Sequence, residues 1–227
     1  MSICTKHLWP AFKILLIAGS PIQKIIDKGG ETHLFINNQS LDILKNDGKI
    51  TTFNTIERYR QYIDLGNLWA DKGWKCFAHY YNPQNGKGII PLISAFTECN
   101  NYFEAALFNW KIEKYQKAMF YLGAAAHIVQ DMCVPHHAMG IAFNGHRKFE
   151  TWAMINKDQF KTKNSSLYDD FKSIYELVNA NSELARKYYY DVAEYSIIGY
   201  MKTAKELLSL SQKTTAYLFD YFVRISH

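Results

Sequence analysis

The sequence predicts an all-α fold, and three observations carry that prediction. Apolar residues recur at the three- and four-residue spacing of a helix through most of the chain beyond residue 32. No alternation of strand-like and helix-like segments occurs, and no internal repeat. With 227 residues and no stretch depleted of apolar side chains, the chain is expected to form a single compact multi-helix domain.

Residues 1–30 stand apart from residues 31–227. The run LWPAFKILLIAGSPI at 8–22 is shorter than a membrane span and is broken by Pro10 and Lys13, so no transmembrane segment is expected. It reads as a weak signal peptide, with Lys6 before the apolar stretch and cleavage near Ala18 to Ser20, or as part of a cytoplasmic chain. After Gly29 and Gly30, Thr32 is placed to cap a helix carrying Leu34, Phe35, Leu41, Ile43 and Leu44, which Asn46, Asp47 and Gly48 end. A second amphipathic run, about 52–65, carries Phe53, Ile56, Tyr59, Tyr62, Ile63 and Leu65 and stops at Gly66. Residues 67–91 hold Gly73, Pro83, Asn85, Gly86 and Gly88 and read as irregular. Helical patterns resume at 91–110 and at 113–133, where Pro135 stops the second. Another helix begins near His146 and passes Trp152. Two more cover about 165–180 and 182–222, with a break near Gly199.

Several function classes fall away on composition. A net charge of +5 with scattered Lys and Arg makes no nucleic-acid groove. Cys4, Cys76, Cys99 and Cys133 form neither CxxC pairs nor a disulfide framework. No P-loop, GxGxxG turn or serine elbow is present.

Chemistry concentrates in residues 127–150, HIVQDMCVPHHAMGIAFNGHRKFE, which contain four of the eight histidines. His127 and Asp131 are four apart, as are His146 and Glu150, and such pairs lie about 5–6 Å apart on one helix face. A lone pair of this kind reads most simply as a core histidine bonded to an aspartate, or as a solvated pair on a surface. Here both pairs flank a proline turn bearing His136 and His137, of which one need face inward. Imidazole and carboxylate together suit Zn²⁺. His7 and His227 lack partners in the pattern, and Cys133 reads as a small buried apolar residue.

The segments FYLGAAAHIVQD, PHHA and GHRKFETWA, with LGNLWAD at 65–71, AHYYNPQNGKGIIP at 78–91 and THLFINNQSLDIL at 32–44, resemble the bacterial zinc-dependent phospholipases C, including the catalytic domain of clostridial α-toxin. The resemblance runs in order from about residue 32 to 153. It implies an all-α catalytic domain of the zinc phospholipase C and zinc nuclease type. It places Asp71, His79, His127 and Asp131 around one zinc and His137, His146 and Glu150 around a second, and implies that Asp71 also serves the attacking water. His33, with Asp131 bridging, would belong to a third zinc. The family completes that third site with an N-terminal tryptophan. Here the nearest upstream tryptophan, Trp9, stands 24 residues before His33, so two zinc ions are expected and the third depends on the processed N-terminus.

The implied activity is hydrolysis of the glycerol-side phosphodiester of a phospholipid at a membrane surface, by a secreted monomer. A zinc nuclease acting on single-stranded nucleic acid is the first alternative. Those enzymes place an asparagine before the third-motif histidine and close with HxxxD, whereas Gly145 and Glu150 stand here. A metal-stabilised module without catalysis is the second, and the number of candidate ligands exceeds one closed structural site. Lys72 and Lys75, in the loop between Asp71 and His79, would repel a choline cation if they turned inward. Tyr80 and Tyr81 are expected to pack beside His79.

Overall fold

The computed structural model describes residues 30–90 and 93–226. Ten α-helices lie among them: α1 (Gly30–Asn46), α2 (Ile50–Arg58), α3 (Arg60–Ala70), α4 (Ala95–Lys111), α5 (Tyr115–Asp131), α6 (Pro135–Met139), α7 (His146–Asn156), α8 (Ile174–Arg186), α9 (Tyr189–Ala193) and α10 (Ile197–Ser226). Among the described residues there is no strand, only the isolated bridges Asn82 to Lys87 and Ile90 to Ile93. The all-α expectation holds. The proposed signal segment, and with it His7, Trp9 and Ser20, lies outside the described residues, as does His227.

Helix α5 runs through the centre. From Leu122 to Asp131 every residue is buried, and α3, α4 and α10 pack around it. The sequence explains this placement: GAAA at 123–126 has almost no side-chain bulk, so neighbouring helices approach on all sides. Met119, Leu122, Ile128 and Val129 are fully enclosed, each contributing about 1.5–3 kcal/mol of apolar burial. The closest approach is between α5 and α3. A Cβ on Gly66 would lie 1.7 Å from the Phe120 carbonyl oxygen, and one on Gly123 would lie 2.0 Å from that of Ile63. This reciprocal contact overturns the expected stop at Gly66: the residue stays helical, and α3 extends to Ala70. The run 52–65 breaks instead at Tyr59, between α2 and α3.

Other boundaries differ from expectation too, and the helix expected over about 165–180 begins only at Ile174. Helix α1 begins at Gly30, so Thr32 lies within its first turn. Pro135 ends α5 and also starts α6 as an early helical residue, where its missing N–H costs nothing. The 182–222 segment breaks at 187–188 and again at 194–196, while Gly199 is inside α10. There its bare Cα faces the Asp191 carbonyl, 2.1 Å from where a Cβ would sit. Glycine marks a helix crossing at this position, not a helix end.

Candidate metal centre

Six separate segments deliver the predicted residues to one region. His33 comes from α1, Asp71 caps the C-terminus of α3, and His79 caps the 3₁₀ turn Gly73–Ala78. His127 and Asp131 are one turn apart on α5, His137 lies in α6, and His146 and Glu150 open α7. Three triads of ligand atoms result, each with its atoms within 4.8 Å of one another: His33, His127 and Asp131; Asp71, His79 and His127; and His137, His146 and Glu150. All eight predicted ligand positions are used in these groups.

In the first region, Asp131 is the hub. Its Oδ2 is 2.8 Å from His79 Nδ1 and 3.2 Å from His127 Nε2, and its Oδ1 is 3.5 Å from His33 Nε2. The His33 and His127 rings stack at 4.1 Å. Despite these short approaches, Asp131 Oδ2 and His79 Nε2 are buried without a well-directed hydrogen bond. Leaving such atoms unpaired costs about 1–3 kcal/mol each, and more for a charged oxygen. A divalent cation among lone pairs that converge this way would relieve that cost, so the donor set fits zinc.

In the second region, Glu150 Oε1 is 2.8 Å from His146 Nε2 and 3.5 Å from His137 Nε2. His137 is oriented by donating its Nδ1–H to the His79 carbonyl at 2.7 Å, which leaves Nε2 facing Glu150. Tyr80 stacks on the same ring at 4.6 Å and holds it in place. His136 is fully buried, donates from Nε2 to the Asn144 carbonyl at 3.0 Å, and stacks on His146 at 4.9 Å. It supports a neighbouring histidine, and His137 is the residue turned toward the carboxylates.

Electrostatics divides these groups: two histidines are held neutral, while two others favour a proton that a bound metal would displace. Burial pulls His33 and His79 below the usual histidine range, keeping them neutral as metal ligation requires. Burial also opposes charge on His127 and His137, but the Asp131 carboxylate outweighs it for both. Glu150 adds to the effect on His137, which rises to about 9. Burial would raise Asp131 and Glu150. His127 and His137 hold Asp131 well below the carboxylate range, and His146 with His137 does the same for Glu150. Both carboxyl groups are therefore anionic at neutral pH.

Sequence reasoning missed the layer beneath the histidines. Gln130, Asn67 and Asn37 are buried and bond to His33, His127 and one another. Their signal was available: Asn67 lies one turn before Asp71, and Gln130 is three residues from His127 on the same helix. Cys133 is buried with its thiol on the Val129 carbonyl, as expected. Tyr81 packs near Phe96, whereas Tyr80 borders the site. Lys75 does not reach into the cleft as a free cation: its ammonium bonds to the Lys72 carbonyl and lies 4.5 Å over the Trp69 ring.

A family profile described as "Zinc dependent phospholipase C" matches residues 32–200. This chain belongs to the zinc-dependent phospholipase C family. It is 28% identical over 239 residues to the phospholipase C of Clostridium perfringens, covering 87% of this chain and 60% of the relative. It is 26% identical over 162 residues to the phospholipase C of Bacillus cereus, covering 64% of this chain and 56% of that protein. The alpha toxin of Clostridium absonum superposes with a TM-score of 0.77 at 22% identity, over 88% of this chain and 65% of the toxin, and thereby shows the shared all-α fold. The chain thus spans about 60% of the length of the phospholipases C it matches. The matched span 32–200 contains all eight positions of the two regions.

Proposed function

We propose that the chain is a zinc-dependent phospholipase C acting on the glycerol-side phosphodiester of phospholipids. The observation that carries this reading is the adjacency of the two ligand regions, with His137 Nδ1 4.0 Å from Asp131 Oδ2. One zinc is assigned to Asp71, His79, His127 and Asp131, and a second to His137, His146 and Glu150. His33 and Asp131 begin a third site whose remaining ligands would come from outside the described residues. Bound zinc supplies positive charge to the phosphate and lowers the pKa of an attacking water.

The chain's own groups perform the remaining tasks. Asp71, partly exposed at the end of α3, orients the water and accepts its proton as oxygen attacks phosphorus. The bond from phosphorus to the glycerol oxygen breaks, that oxygen regains a proton, and diacylglycerol leaves the phosphorylated headgroup behind. Asp131 and Glu150, held anionic, keep their oxygens available as ligands throughout.

A groove of about 680 Å³ runs along α7 from His146, lined by Phe143, Arg147, Lys148, Trp152, Ile155 and Tyr195. Phe143 and Ile155 are 84% and 71% exposed, a costly display for a face that meets only water. Apolar side chains beside Arg147 and Lys148 suit a phospholipid surface, where rings and alkyl groups enter the interface and cations meet phosphates. No helix among the described residues is long and apolar enough to cross a membrane. In this reading lipid contact is peripheral, and the enzyme acts as a secreted monomer.

The test is product analysis with the zinc-loaded protein on phospholipid vesicles and, in parallel, on single-stranded DNA. Diacylglycerol release that a chelator abolishes and added zinc restores is expected, with Asp71→Asn at least about 100-fold slower. Cleavage of DNA alone, or full activity and full zinc content in Asp71→Asn, would refute the assignment.

A further inference from the structure

The buried amides beneath the first ligand region form a chain whose direction is set at one end. Asp64 accepts from Asn37 Nδ2 at 2.9 Å. A carboxylate has no proton to donate; burial raises the Asp64 pKa, while the Asn37 amide and Arg60, 3.8 Å from its other oxygen, favour the anion. Asn37 must therefore present its amide nitrogen to Asp64 and its oxygen inward. That oxygen takes a hydrogen bond from Gln130 Nε2 at 2.9 Å, which turns the Gln130 oxygen the other way. Gln130 Oε1 then faces His33 Nδ1 at 2.7 Å and Asn67 Nδ2 at 3.1 Å. With Asn67 Nδ2 so engaged, Asn67 Oδ1 faces His127 Nδ1 at 3.3 Å.

Every link has one consistent orientation. Both ends of the Gln130 amide are fully used, because its second N–H donates to Thr215 Oγ1 at 3.3 Å. Amide oxygens only accept, so each histidine nitrogen that meets one must carry a proton. We infer that Asp64, through Asn37, Gln130 and Asn67, is a positioning residue that holds His33 and His127 with the proton on Nδ1, so that Nε2 of both rings is the ligand atom turned toward Asp131, with His79 Nδ1 3.3 Å from His127 Nε2. In each of these two rings Nε2 is indeed the nitrogen that approaches that carboxylate, at 3.5 Å for His33 and 3.2 Å for His127. Three helices contribute to the relay, α1, α3 and α5, so it also sets the rotation of each ring about its own axis. Reversing any one amide would leave two donors or two acceptors facing each other among buried side chains. Neighbours that orient a metal-binding histidine typically alter metal affinity by about 10–100-fold when changed.

The zinc part of this inference rests on the proposed metal-dependent function; the proton placement does not. Nitrogen-15 NMR of histidine-labelled protein, metal-free and zinc-loaded, reports which ring nitrogen carries hydrogen. A proton on Nδ1 of both His33 and His127 is expected in both forms. In Asp64→Asn the terminal acceptor becomes an amide that can donate, so the relay loses its fixed sense. Exchange-broadened or altered Nδ1 signals and a zinc affinity lower by about 10–100-fold, read by chelator competition, are expected there and in Gln130→Leu. Thr215→Val removes only a side partner of Gln130 and should leave both readouts near wild type. An unprotonated Nδ1 at either histidine of the wild type overturns the inference without any variant having to fold. Wild-type signals and zinc affinity in a folded Asp64→Asn protein overturn it as well. Expected NMR signals in a protein that hydrolyses no phospholipid would sink the functional reading and leave the relay standing.

Discussion

Replacing Gly123 with alanine sets two effects of opposite sign against each other. Alanine is favoured over glycine inside a helix by about 1 kcal/mol, so helix propensity alone predicts a more stable protein. The packing predicts the reverse. The new methyl would lie 2.0 Å from the Ile63 carbonyl oxygen and 2.7 Å from its carbon. Both are backbone atoms of α3 and have no rotamer through which to yield. Restoring even the tightest tolerated contact, 3.0 Å, requires α3 and α5 to part by about 1 Å at their crossing. Overpacking of this kind costs about 1–3 kcal/mol, and the rigid partner favours the upper end. After the propensity gain, a net loss of about 1–2 kcal/mol is expected from urea unfolding. The crossing also carries function, because Asn67 and His127 sit one turn beyond Ile63 and Gly123 and touch each other. Parting the helices moves Asp71 away from His127. Misplacement by about 1 Å can cost about 100-fold in rate, so kcat/KM on vesicles should fall together with zinc affinity. A Gly123→Ala protein as stable as wild type, with full zinc content, would refute the close-packing argument.

The remaining predictions are local. His146→Ala should lower bound zinc by about one per chain in elemental analysis, leaving the zinc at Asp71, His79, His127 and Asp131; an unchanged stoichiometry would deny the second site. Burial lowers the His136 pKa to about 4. Its neutral form therefore contributes stability that is present above the unfolded value of about 6.5 and is lost as pH falls through about 4. With solvent screening taken into account that amounts to on the order of 1–2 kcal/mol, so His136→Gln should flatten the acid limb of zinc-free stability between those values. A parallel curve would show that another group governs acid unfolding. Phe143→Ser with Ile155→Ser should weaken vesicle binding about 10-fold or more while leaving cleavage of a soluble short-chain phosphodiester unchanged. Equal binding would remove the groove along α7 from the lipid interface.

The ligand types were legible because metal chemistry restricts them to a few side chains and helical geometry restricts their spacing. His127 with Asp131, and His146 with Glu150, are contacts between successive turns that the chain makes within itself. Their partners are not local. That His137 faces the carboxylates while His136 turns to Asn144 depends on where the His79 carbonyl lies, which is set by the short turn after α3. Glycines were misread at Gly66 and Gly199 because a bare Cα at a helix crossing and one at a helix end have the same sequence signature. Lys75 looked like a cleft cation until Trp69 and the Lys72 carbonyl were brought beside it.

The sequence by itself determined an all-α chain and the eight residues capable of gathering metal, because periodicity, ligand chemistry and family likeness are all written in residue order. Only the tertiary structure decided that six segments meet in two adjacent ligand regions, which nitrogen of each histidine is turned inward, and that an amide chain ending at Asp64 lies beneath the first of them. Those features depend on distances between residues far apart in sequence and on the requirement that each buried polar atom find a partner. Neither can be read until the helices have closed around α5.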